Sequence, residues 1–113
     1  MTGEERGDRR KHQIARNEAL FREVNERVQE VSDTRATLTT DFLCECGDPA
    51  CTESIPMRDE EYEQVRADPL LFAVVPGHEV LDVEEVVAEN QRFNVVRKHI
   101  AEAAIAEKTD PRP

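Results

Sequence analysis

Cys44, Cys46 and Cys51 are the only cysteines in a chain of 113 residues, and all three fall within FLCECGDPAC, spaced Cys-x-Cys-x4-Cys. Thiolate sulfur is the preferred donor for structural zinc, and three thiols on one tight bend cover one side of a tetrahedral ion. An odd number of cysteines argues against a closed disulfide set. Gly47, directly after Cys46, reaches positive φ without steric cost, and a loop that turns its N–H groups toward metal-bound sulfur often requires that conformation. Asp48–Pro49 continue the turn chemistry. CGDPAC is therefore predicted to fold back on itself around a metal, with zinc favoured and iron left open.

A structural zinc takes a fourth donor. The histidines are His12, His78 and His99. His12 lies in the polar, basic start of the chain and His99 follows Arg97–Lys98. His78 stands in VVPGHEV, after an apolar run, where Pro76–Gly77 make a sharp turn that presents a side chain at an edge. The predicted site is Cys44, Cys46, Cys51 and His78, a Cys3His-type centre, with Asp41, Asp48 and Glu53 as carboxylate alternatives to the histidine.

Catalytic readings fit poorly. HEVLD begins like a zincin HExxH but has Asp82 where the second histidine belongs. A nucleoside deaminase needs H-x-E and P-C-x-x-C, and neither spacing occurs. The chain also lacks a Walker loop, a GxGxxG and a GxSxG. Three crowded thiols suit a metal better than a Cys–His nucleophile pair. The sequence thus predicts no enzyme. The competing use of the same thiols is a redox sensor, in which oxidation couples two cysteines and releases the metal or a partner.

These residues need elements to hold them. Arg9 to Ser32 carry a heptad-like stripe, Ile14, Phe21 and Val28 with Asn17, Val24 and Val31, that predicts one amphipathic helix. Glu18–Arg22 and Glu23–Arg27 are spaced for ion pairs along it. TESIPM has β character. RDEEYEQVRADP reads as a short helix capped by Asp59, with Tyr62 and Val65 on one face, and it must end before Pro69. LLFAVV is a buried strand. LDVEEVVAENQRFNVVRKH reads either as a helix capped by Asp82 or as a hairpin turning at Asn90–Gln91. Its β-branched content favours the hairpin. IAEAAIAEK closes the chain as a helix. The fold class is α+β, a long N-terminal helix followed by a small zinc-stapled β-sheet with one or two short helices. The divisions are a flexible start at 1–11, the helix at 12–35, the zinc-binding domain at 36–106 and a flexible tail at 107–113.

With four Phe, one Tyr and no Trp, the core is thin, and small domains of this kind often recruit a metal as a staple. Residues 1–35 balance eight basic against eight acidic side chains, whereas residues 36–113 carry seven and seventeen, the whole of the net −10. An acidic body disfavours direct nucleic-acid binding and suits a basic protein partner, including one for which it competes with nucleic acid. Homodimerisation through the N-terminal helix is a second use of that stripe. No membrane-length apolar run and no signal-peptide pattern occurs, so a cytoplasmic location is expected. Function is predicted as a small zinc-binding protein-interaction module of regulatory type. ARNEALFREVNERV, CECGDPAC, EYEQVRADP and VVPGHEV together resemble a family of small uncharacterised bacterial proteins that share CEC-x4-C and a later PGHE, and the resemblance implies no activity.

Overall fold

The structure, a computed structural model, describes residues 3–31 and 39–112. Helix α1 spans Gly3–Val31, followed by β1 (Thr40–Leu43), β2 (Ser54–Met57), α2 (Asp59–Arg66), β3 (Leu71–Val74), β4 (Glu84–Glu89), β5 (Asn94–Lys98) and α3 (Ile100–Lys108). β1 and β2 form an antiparallel pair, and β3, β5 and β4, in that spatial order, form an antiparallel three-stranded sheet. The architecture is α+β, as the sequence predicts, with the strands divided between two small sheets.

Most elements fall where their patterns place them. Residues 82–98 settle as the hairpin, because Asn90 supplies the turn: its Oδ1 accepts the N–H groups of Arg92 and Phe93 at 2.8 and 2.9 Å. The run LLFAVV keeps four residues as strand before Pro76 ends it. In α2, Arg58 rather than Asp59 takes the cap position, and its N–H donates to Glu61 Oε1 at 2.9 Å. Asp68 closes that helix by accepting the Leu70 N–H at 2.9 Å.

Three expectations need correction. Helix α1 begins at Gly3 instead of Arg9, so most of the 1–11 segment is helical. No proline interrupts it, and an interior glycine such as Gly7 costs a helix only about 1 kcal/mol. At the other end, residues 32–38, and with them the last part of the 12–35 division, lie outside the described residues. The tail is anchored: Asp110 pairs with Arg66, and Arg112 donates to Glu26 and Glu63 at 2.8 and 2.9 Å. The third correction concerns the face of α1. Of the predicted stripe, Ile14, Asn17, Phe21 and Val28 are half-buried, Val28 against the core, whereas Val24 and Val31 are 38% and 83% exposed, and the fully buried positions are Ala15, Glu18, Ala19, Arg22 and Asn25. The helix turns a polar stripe inward because the body supplies a partner for each group. Arg22 donates to the carbonyls of Pro69 and Ala106 at 2.6 and 2.7 Å and lies over the Phe72 ring. Asn25 bonds Leu43 and Glu45, and Glu18 meets Lys98.

The apolar core joins both sheets and two helices through Phe42, Ile55, Met57, Tyr62, Val65, Phe72, Val74, Phe93, Val96 and Ala106. The Phe42 and Tyr62 rings stack with centroids 4.3 Å apart. Cys44 and Cys46 lie at the margin of this core, and Glu45 between them is fully buried. Its N–H donates to the Ala73 carbonyl at 2.8 Å, and its Oε1 accepts the Ala73 N–H at 3.0 Å. Those two bonds tie the end of β1 to the middle of β3, which brings the cysteine loop alongside the turn that carries His78.

Candidate metal centre

Each donor arrives on a different local structure. Cys44 follows β1, where its N–H donates to the Glu53 carbonyl at 3.0 Å and extends the β1–β2 ladder. Strand alternation sends Cys44 and Glu45 to opposite sides. Gly47 then takes φ +78°. A Cβ there would sit 2.9 Å from the Ile14 carbonyl and from side-chain carbons of Ile14 and Glu18, so the loop rests directly on α1. Asn17 holds it in place by donating to the Gly47 carbonyl at 2.9 Å. Asp48 accepts the Ala50 N–H through its carboxylate and the Cys51 N–H through its carbonyl, at 2.9 and 3.0 Å, which returns Cys51 to the site.

His78 comes from the turn after β3. Its N–H donates to the Val75 carbonyl at 2.9 Å, with Pro76 second and Gly77 third at φ +94°, the requirements of a type II turn. Proline fixes the first corner and glycine supplies the second, so VVPGHE folds locally into a histidine-presenting bend.

The donor atoms of Cys44, Cys46, Cys51 and His78 all lie within 4.8 Å of one another. His78 Nδ1 is 3.5 Å from Cys44 Sγ and 3.6 Å from Cys51 Sγ. A tetrahedral zinc, with bonds of about 2.3 Å to sulfur and about 2.0 Å to nitrogen, separates those donors by about 3.5 Å. The ring orientation agrees. His78 Nε2 lies 2.9 Å from Glu53 Oε2. A neutral imidazole that donates there has a bare Nδ1, and that lone pair faces two sulfurs at nearly equal distance. A carboxylate on the far nitrogen is the usual support for a metal-bound histidine. The four residues are thus close enough to hold a metal ion.

The sulfurs are also set for an ion. The Val75 N–H donates to Cys44 Sγ at 3.2 Å, and the backbone of Asp48 is directed at the sulfur of Cys46. Burial pushes both thiols above their ordinary range, and crowding among the three sulfurs adds to it. Thiols in that condition deprotonate when a cation compensates them. Asp48 and Glu79 line the opening beside Cys46 and His78 and favour a cation further.

His12 is exposed on α1, and His99 occupies the cap position of α3, neither of them in the cluster. Asp41 is exposed on β1, Asp48 serves the loop and Glu53 supports the histidine, so none of the carboxylate alternatives joins the four donors. Sequence reasoning missed the supporting residues Asn17, Asn25 and Glu45. The alternation within CEC is the one signal that marks Glu45, since it must point away from both thiols. A second buried ionic group lies behind the loop: Lys98 Nζ meets Glu18 and Glu84, the latter at 2.7 Å. Burial pushes the Glu18 carboxyl well above its ordinary range, and the neighbouring Lys98 ammonium opposes that shift.

Comparison with protein-family models, curated proteins and solved structures gives no match. Among the described residues, no helix is long and apolar enough to cross a membrane.

Proposed function

We propose that this protein is a small zinc-binding module that acts through contact with another protein, with Cys44, Cys46 and Cys51 binding through sulfur and His78 through Nδ1. The observation that carries the proposal is the pair of near-equal distances from His78 Nδ1 to two sulfurs. Bound there, zinc supplies a cross-link between the end of β1, the CGDPAC bend and the turn after β3. Four strong donors fill a tetrahedron and leave no position for a reacting water, which favours a structural centre over a catalytic one. The thin core gives such a cross-link its purpose, since zinc binding contributes directly to the folding energy of small domains.

The interaction role draws support from two surfaces. The body is strongly acidic, which suits a basic partner and disfavours nucleic acid. Helix α1 shows Leu20, Val24 and Val31 to solvent, which makes them available to another chain.

The test is to purify the full chain without added metal and measure zinc, iron and free thiols. One zinc per chain, with unfolding when a chelator removes it, is the expected result. A cooperative, stable fold with three freely titrating thiols and no metal refutes the centre. Salt-sensitive capture of a basic protein is expected for the interaction role, and its absence at low salt refutes the basic partner.

A further inference from the structure

We infer that Cys51 is the reactive sulfur of the centre, the position at which a hydroperoxide opens it, with Cys46 as the thiol that completes the disulfide. The inference rests on the metal reading above and adds its regulation.

The three sulfurs are not equivalent. Cys44 is 2% exposed and accepts the Val75 N–H at 3.2 Å. Cys46 is 3% exposed. Cys51 is half-buried in a loop whose neighbours Asp48, Pro49, Ala50, Thr52 and Glu53 are all exposed. Its sulfur faces His78 Nδ1 at 3.6 Å, and among the described residues it shows no N–H bond of the kind that Val75 makes to Cys44. An N–H···S bond withdraws charge from a thiolate and covers one lone pair, so the sulfur without one is the better nucleophile. Access therefore sets Cys51 apart from both other sulfurs, and electron density sets it apart from Cys44 as well.

The chemistry closes within the cluster. The Cys51 thiolate attacks the terminal oxygen of a hydroperoxide; an S–O bond forms, the O–O bond breaks and hydroxide (an alkoxide from an organic peroxide) departs. Cys51 has then lost two electrons and is a sulfenic acid. The Cys46 sulfur lies with that of Cys51 inside the 4.8 Å cluster. Its thiolate attacks the Cys51 sulfur; an S–S bond forms, the S–O bond breaks and a second hydroxide departs. One peroxide has been reduced, two thiolates oxidised, and two of four donors withdrawn from the metal, which is then held only by Cys44 and His78. Four residues separate Cys46 from Cys51, enough chain to accept the bridge.

The experiment uses the full chain, with its zinc content measured first. Zinc-loaded protein is treated with limiting iodoacetamide and, separately, with substoichiometric hydrogen peroxide, and the cysteine peptides are mapped. Expected are a first alkylation at Cys51, about tenfold faster than at Cys44, the difference that one hydrogen bond makes. Peroxide should release one zinc per equivalent consumed and leave a Cys46–Cys51 bridge. First modification at Cys44 or Cys46, equal rates at all three, a Cys44–Cys46 bridge, or zinc retained through peroxide treatment each overturns the inference while leaving the metal centre standing. A chain that takes up no zinc fails at the earlier measurement and removes both.

Discussion

Gly47 and Gly77 flank the donor cluster, one after Cys46 and one before His78, and both hold positive φ, +78° and +94°. Their surroundings differ sharply. A Cβ on Gly77 would have nothing within 4 Å, whereas one on Gly47 would meet three atoms of α1 at 2.9 Å, one of them the Ile14 carbonyl. Substituting alanine at each position therefore separates backbone strain from collision. An L-residue in the left-handed region costs about 1–2 kcal/mol, and Gly77→Ala should lose that much. Gly47→Ala carries the same strain plus overlap with a helix backbone that cannot rotate away, a further cost of about 1–3 kcal/mol. Urea unfolding of both zinc-loaded variants, with equal m-values as the control, measures the difference directly. Asn17 should lose its bond to the Gly47 carbonyl as the loop lifts, so zinc affinity should fall more in Gly47→Ala as well. Equal losses in the two variants would mean that the loop does not rest on α1, and the geometry of the centre would have to be rebuilt.

Other perturbations test the supports. Glu53→Ala removes the acceptor for His78 Nε2–H and should weaken cobalt or zinc binding about tenfold; Glu53→Gln keeps an acceptor and should recover much of it, and unchanged affinity in the alanine variant would exclude Glu53 as an orienting group. Lys98→Met leaves Glu18 and Glu84 buried without their counter-charge and should cost about 3–5 kcal/mol in denaturant unfolding. A loss below about 1 kcal/mol would show that the group is not buried as described. The Arg92 hydrogen bonds hold the Glu61 carboxyl down from an ordinary 4.5 to about 2. Its folded value lies below its unfolded one, so the pair's stabilisation is complete above about pH 4.5 and disappears as pH falls toward 2. Arg92→Gln should flatten that acid limb, and an identical limb would count against the pairing.

The sequence alone determined whatever local chemistry enforces. CGDPAC and VVPGHE are turns because glycine, proline and aspartate permit few other conformations, and each turn presents its donor residue regardless of the rest of the chain. The hairpin at 84–98, the end of α2 before Pro69 and the apolar strand at β3 follow from the same short-range rules. Tertiary structure decided how those pieces meet. Glu45 joins β1 to β3 through bonds that span 28 residues, and only that register carries His78 to the cysteines. It also decided which side of α1 faces inward. Periodicity weighs apolar against polar and so favoured Val24 and Val31, but burial of a charged group depends on whether a partner waits for it. Lys98, the Pro69 and Ala106 carbonyls and Glu45 are those partners, and they reach Glu18, Arg22 and Asn25 only once the distant segments have folded around the helix.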